Sequence, residues 1–333
     1  MIRSLAKPID PLDSTNPIIR RNLSPEKLSG EFQESTSVWT DLVDADKADL
    51  DWLQQHVKLH PLVVQDLKRI DSRPSLLTYT DHIFISIFQP EMSLGKIKGH
   101  EIHCIIGENY FVTVRGKSST GVDKAYERVA QNPNYWSRDV SYFLYLTVQE
   151  VVDKYYPIVD QISNQLNTLE EELLTSAGAS DKVVRAKVYR LKQNLIALRQ
   201  MIAPHREVLS SVIGEERLAR SGEDRDLFRH LYERLMRVYD IVDAQRDLSS
   251  NVLDLLQNRE SQEFGKAVNR LTVFSMIFLP LTFLIGLFEL NFISPQSPFL
   301  IPISGTALFI TLIVVMLVLV GSMLWYFRKQ GWL

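Results

Sequence analysis

The chain has 333 residues, 45% of them hydrophobic and 23% charged, with a net charge of −3 at pH 7 and a mean hydropathy of −0.05. This balance excludes a strongly basic nucleic-acid-binding surface, and the single cysteine, Cys104, excludes an internal disulfide framework and fits a reducing compartment. The averages hide two populations: from Leu271 onward only Glu289, Arg328 and Lys329 are charged, a net of +1, so the 270 residues before it carry about −4 and are long enough to bury a core.

Residues 1–37 begin Met1-Ile2-Arg3-Ser4-Leu5-Ala6-Lys7-Pro8, without an apolar core of signal-peptide length, and continue with Pro11, Pro17 and Pro25 among Ser, Asn and charges. Such composition fits a poorly ordered tail or short appended elements. Residues 38–137 mix periods and are expected to form a small cytoplasmic α/β domain. Leu50 to Val57 and His60 to Leu67 read as short helices, the second with Pro61 in its first turn. Three β-branched and aromatic runs follow, His82 to Phe88, Ile102 to Ile106 and Tyr110 to Val114. The link Gly107-Glu108-Asn109 is short enough to make the last two a hairpin. His100-Glu101-Ile102-His103-Cys104 carries zinc-ligand residue types, but on a strand positions 100 and 103 point to opposite faces.

Past Ser137 the period becomes 3.6. Residues 138–222 hold two long helices, Tyr142 to Thr175 and Asp181 to Leu209, with breaks at Gly178, Gly214 and Gly222, and Glu170-Glu171-Glu172 fits a solvated helix face. From Glu223 to Leu279 there is no proline and only Gly265, so a stalk helix over 223–270 is expected to run on into the first apolar run, roughly 85 Å at about 1.5 Å per residue. Phe228, Leu231, Leu235, Val238, Val242, Val252 and Leu256 recur at heptad-like intervals, with Gln245 and Ser249 in the seam. That polar gap fits either helices splayed around water or a buried helix with two tolerated polar residues.

Two apolar runs close the sequence, Leu271 to Phe288 and Phe299 to Phe327, joined by the link from Glu289 to Pro298. Each reaches the ~18 residues that cross about 30 Å of hydrocarbon, and neither contains an ionised side chain. Lys266 and Arg270 precede the first run and Arg328 and Lys329 follow the second, while the link has no Lys or Arg; the positive-inside rule then places both ends in the cytoplasm. Two spans cannot enclose a water path, so conduction would require a ring of copies. On the first run Val268, Leu271, Ser275, Leu279, Thr282 and Gly286 share one slim, partly hydroxylated face, and Phe274, Phe278, Leu281, Ile285 and Phe288 share a bulky one. The slim face fits close helix packing in lipid and equally a pore whose apolar rings close by dewetting. Apart from Gly305, Gly321 and Ser322 the second run has no such division and is expected to face lipid.

The segment Phe278-Leu279-Pro280-Leu281-Thr282-Phe283-Leu284-Ile285-Gly286-Leu287-Phe288-Glu289-Leu290-Asn291-Phe292 resembles the first membrane helix and signature of the CorA-type divalent-cation transporters, a two-span family marked by Gly-x-Asn that includes zinc-transporting relatives. The resemblance takes in His60 to Leu67 with Arg73-Pro74, Tyr142-Phe143-Leu144-Tyr145 through Glu172, Pro204-His205-Arg206-Glu207-Val208-Leu209 and the terminal Gly331-Trp332-Leu333, about residue 38 to the end. It implies an α+β cytoplasmic domain, a long helical stalk and a two-helix transmembrane hairpin in a funnel-shaped homopentamer. Residues 271–291 would form the pore helix and signature, 292–298 an extracytoplasmic loop, 299–327 the outer helix and 328–333 a cytoplasmic end. Val268, Leu271, Ser275, Leu279, Thr282 and Gly286 would then line the pore, with Leu271 and Leu279 as apolar gates.

Where the family reads Gly-Met-Asn this chain has Glu289-Leu290-Asn291. The resemblance gives Asn291 the role of meeting the hydration shell of an entering ion, which its carboxamide oxygen suits and which suits Mg2+, an ion reluctant to lose water. A ring of Glu289 would concentrate cations while discriminating less among them. No acid follows Asn291 in the link. In the stalk, the acidic position that helps magnesium-selective members hold a regulatory ion corresponds to His230, beside Glu233, and imidazole would suit a softer ion such as Zn2+.

The expected function is passive or proton-linked movement of divalent metal cations through a homopentameric pore in the cell (inner) membrane, Mg2+ by default, with Zn2+, Co2+ or Ni2+ as the rival. A non-conducting membrane scaffold or metal sensor is the expectation from another class. No phosphate loop, nucleophile elbow, Walker motif or zinc-protease motif points to an enzyme, so the partners expected are other copies of the chain, the bilayer and the transported cation, with no cofactor and no nucleic acid.

Overall fold

The structure is a computed structural model that describes residues 1–8, 19–68, 73–174, 181–288 and 305–331. The chain divides into two compact units, Met1–Leu253 and Asp254–Leu333. In chain order the first holds β1 (Ile2–Pro8), β2 (Arg20–Arg21), α1 (Pro25–Glu34), β3 (Ser35–Val43), α2 (Lys47–His56), α3 (Pro61–Asp66), β4 (Ser75–Thr78), β5 (Ile83–Ser93), β6 (Lys96–Ile106), β7 (Tyr110–Arg115), α4 (Thr120–Gln131), a 3-10 turn (Pro133–Ser137), α5 (Ser141–Asp153), α6 (Tyr155–Leu174) and α7 (Asp181–Gly214). Then α8 (Gly222–Phe288) starts in the first unit and ends in the second, which also holds α9 (Gly305–Lys329).

The strands form a seven-stranded sheet in the order β2-β1-β3-β7-β6-β5-β4, in which only β3 and β7 run parallel. Alternation along the strands divides the core into two layers. On one face Leu42, Phe84, Ile105, Val112 and Val114 pack with Leu53 and Val57 from α2 and its exit and Val63 from α3. On the other, Trp39 stacks on Phe143 of α5 at 5.7 Å and meets Phe111 and Tyr126 of α4 edge-on or tilted. Helix α2 starts at a reciprocal capping box between Asp46 and Asp49, and α3 follows His60 with Pro61 at its first position, as the sequence suggests.

The N-terminal residues are not a tail. β1 pairs antiparallel with β3 from Ile2↔Leu42 onward, Leu5 and Ala6 are fully buried, and Arg3 reaches the fully buried Asp41. Asp41 also accepts from Arg115 Nε at 3.1 Å, Arg115 Nη2 at 3.0 Å and Thr113 Oγ1 at 2.7 Å, so a buried carboxylate ties β1, β3 and β7 together. The expected hairpin of β6 and β7 forms, closed by Gly107 N–H donating to Tyr110 O. A second hairpin joins β5 to β6 through Leu94 and Gly95, both at positive φ as a primed turn needs.

Among the helices, the run expected from Tyr142 to Thr175 is two elements, α5 and α6, separated at Lys154. Pro157 explains the break: it has no N–H for the Asp153 carbonyl and its ring crowds that turn. Gly178 lies outside the described residues, while Gly214 ends α7 and Gly222 opens α8. Helix α8 spans 67 residues and continues through Pro280. Its seam residues Phe228, Leu231, Leu235, Val238, Val242, Val252 and Leu256 are all buried, and Ser249 is buried with its hydroxyl donating to Arg246 O at 2.6 Å. Ser249 thus satisfies itself on its own helix, which fits the buried-helix alternative for that part of the seam.

Candidate ion-conduction site

The second unit holds the apolar end of α8 and α9, two helices long and apolar enough to cross a membrane. Between Leu271 and Leu287 of α8, Thr272 is half-buried and the covered apolar positions are Val273, Ile277, Pro280, Leu281 and Leu284, with Val273 only 4% exposed. Their spacing of three and four residues makes one helical face. Val268, Leu271, Ser275, Leu279, Thr282 and Gly286 are all exposed, Leu271 at 66% and Leu279 at 75%. With about 100° between successive residues, the mean directions of these two sets differ by about 180°. The slim face therefore points directly away from the side that the chain covers for itself. Phe274 and Phe278 stack at 4.3 Å on the flank between them.

The slim face has a definite chemistry. Leu271 and Leu279 present bare aliphatic surface, and a Cβ at Gly286 would meet no atom within 4 Å. Thr282 Oγ1 donates its proton to Phe278 O at 2.9 Å, which leaves only acceptor lone pairs outward. Oxygen acceptors oriented that way suit the water hydrogens of a hydrated cation. Among the described residues no group of three or more His, Cys, Asp or Glu is placed to hold a metal ion.

In the first unit, the suspected zinc residues do not converge. His100 pairs with Glu91 at 2.5 Å, whereas His103 is buried, stacks on Phe84 at 5.4 Å and has Glu101 at 3.5 Å from Nε2. Burial lowers the His103 pKa to about 4 and pushes the Cys104 thiol well above its usual range. His205, in the middle of α7, has a role the sequence did not reveal. Pairing of β4 with β5 stops at Ser86, so Phe88 presents bare edge groups; its N–H donates to His205 Nε2 at 2.7 Å and its carbonyl accepts from Tyr155 Oη at 3.0 Å. Tyr155 Oη lies 3.2 Å from His205 Nδ1, which closes the loop and places the ring proton on Nδ1. Burial lowers the His205 pKa to about 4. The signal was present in Ile202, His205, Val208, Leu209 and Val212, a helical apolar face with one histidine in it.

Residues 34–329 match the family described as CorA-like Mg2+ transporter protein. The chain belongs to that family. Among CorA relatives, the cobalt/magnesium transport protein CorA of Thermotoga maritima is 27% identical over 303 residues, covering 90% of this chain and 84% of that protein. The zinc transport protein ZntB of Pectobacterium carotovorum is 25% identical over 198 residues, 59% of this chain and 57% of its own. The complete structure of the CorA magnesium transporter from Methanocaldococcus jannaschii superposes with a TM-score of 0.80 at 18% identity, covering 100% of this chain and 99% of that one. CorA family members are transporters and not enzymes.

Two parts of the CorA signature expectation stand apart from this geometry. Asn291 and Glu289 lie outside the described residues, as do the rest of the link and the start of the second apolar run, 289–304. His230 is exposed on α8, with Glu233 exposed one turn on and the Asp226–Arg229 pair at 3.3 Å one turn back.

Proposed function

We propose that this protein moves divalent metal cations across a membrane through a pore made by a ring of identical chains, five by the CorA resemblance, each contributing the slim face of α8. One observation carries the proposal: Val268, Leu271, Ser275, Leu279, Thr282 and Gly286 form a face that the chain leaves open, opposite the face it covers. Five such faces would surround an axis with apolar rings at Leu271 and Leu279 and oxygen acceptors at Thr282. At the outer mouth Asn291 would meet the ion's hydration shell and Glu289 would raise the local cation concentration. Lys266, Arg270, Arg328 and Lys329 support a cytoplasmic position for both ends, in a cell (inner) membrane.

Mg2+ is the cation favoured, by the family description and by Asn291. Zn2+, with Co2+ and Ni2+ behind it and with passive or proton-linked movement as the alternatives, is the second reading, supported by the ZntB relative and by Glu289 where the family has glycine. Purified protein in proteoliposomes, assayed metal by metal, tests both: Mg2+ uptake is expected, and uptake of Zn2+ without Mg2+ would replace the first reading by the second. Failure of all four metals to enter, with Asn291→Ala also leaving growth on limiting metal unchanged, would favour a non-conducting scaffold.

A further inference from the structure

The hydroxyl groups of the two apolar segments do not behave alike. Thr272 Oγ1 donates to Val268 O at 2.9 Å, Thr282 Oγ1 to Phe278 O at 2.9 Å, Thr311 Oγ1 to Ala307 O at 2.8 Å and Ser322 Oγ to Leu319 O at 2.9 Å. Thr306 is engaged as well. Each of the four donors so placed hides its polar hydrogen on a carbonyl of its own helix, an arrangement that satisfies a hydroxyl without any outside partner. Among the described serine and threonine hydroxyls of these segments Ser275 is the exception: it is exposed, and its Oγ has no hydrogen-bond partner. A hydroxyl left so in hydrocarbon is costly, whereas one bathed by water is not.

We propose that Ser275 hydrogen-bonds to water in the conduction path and sets how readily the constriction between Leu271 and Leu279 fills. This rests on the pore reading given above. Leu271 and Leu279 lie four residues to either side, about 6 Å along the axis. Two apolar rings that close together favour vapour over liquid between them, and a ring of hydroxyls midway offers the water column both donors and acceptors at its weakest point. Thr282 cannot do the same, because its proton is already committed to Phe278 O. Ser275 is thus a determinant of opening, separate from the oxygen acceptors at Thr282.

The test uses the full chain in proteoliposomes, with Mg2+ flux read for Ser275→Ala, Ser275→Asn and Leu279→Ala, and with Ser275→Cys exposed to a charged, membrane-impermeant thiol reagent. Background labelling is small because Cys104 is buried. Ser275→Ala is expected to lower flux about fivefold, the weight of one ordinary hydrogen bond, while Ser275→Asn restores it and Ser275→Cys is modified. Unchanged flux in Ser275→Ala, with Leu279→Ala raising leak, would overturn the role of Ser275 and leave the pore standing. A cysteine at this position that resists the reagent, with Leu279→Ala also without effect, would instead sink the pore and this proposal together. If Ser275→Ala fails to assemble, the thiol reaction decides: modification supports a wet site and its absence refutes it.

Discussion

His205 and Tyr155 close off the free end of β5. Removing the hydroxyl in Tyr155→Phe leaves the partly buried Phe88 carbonyl without its donor and should destabilise the soluble unit by about 1–3 kcal/mol, read as a lower urea midpoint. His103 and His205 both have pKa values lowered to about 4 by burial, against 6.5 in the unfolded chain. The unfolded state therefore takes up protons first as pH falls, so the stability held above pH 6.5 is lost progressively between there and about pH 4. Thermal melts from pH 7.5 to 5 should show the decline, and His205→Gln, which keeps an acceptor for Phe88 N–H but does not titrate, should flatten it; an equally steep decline would exclude His205 as a source. At Asp41, Arg115→Ala leaves a fully buried carboxylate with Arg3 and Thr113 alone, and a loss of about 3–5 kcal/mol is expected by denaturant titration.

Elements with strong local signals were legible in the sequence and those made by distant partners were not. The strands from His82, Ile102 and Tyr110, the α2 and α3 helices, and the stalk seam all follow from period and punctuation close at hand. β1 was missed because Ile2 to Pro8 gains its stability from β3, which pairs with it from Ile2↔Leu42 to Pro8↔Ser35 across the intervening chain, and from Arg3 reaching Asp41. β5 runs past Pro90 to Ser93, where proline is tolerated because β4 has already ended and that side of the strand is an edge. Its turn to β6 uses Leu94-Gly95 rather than Asn-Gly, so the hairpin carried no usual mark. The helix break at Lys154 was signalled by Pro157. For the candidate site, the slim face was readable from spacing alone, but spacing could not distinguish a packing seam from a water-facing one. Exposure adds only that the slim face lies opposite the side the chain covers for itself. Leu279→Ala should increase cation leak in a vesicle dye assay, since it removes most of one apolar ring; flux equal to the unaltered protein would remove Leu279 from the gate.

At the scale of the whole molecule, the polar 253-residue unit and the apolar one have different solvents and different needs. The purified protein in detergent should have the mass of about five chains by light scattering, and a monomer would leave the slim face of α8 without a purpose. Metal selectivity belongs to this scale too, because under the proposed function the mouth would be built by several chains: Glu289→Gly should narrow the range of divalent ions accepted, measured by competition of Zn2+ and Co2+ with Mg2+ uptake. The parallel pairing of β3 with β7 has a consequence for biosynthesis. Val38 to Val43 is synthesised well before its partner, Tyr110 to Arg115, so the nascent chain carries an apolar strand with one unmatched side until the partner leaves the ribosome. Both spanning segments emerge later still, after Leu253, which lets the sheet finish in water before the translocation machinery engages the first of them.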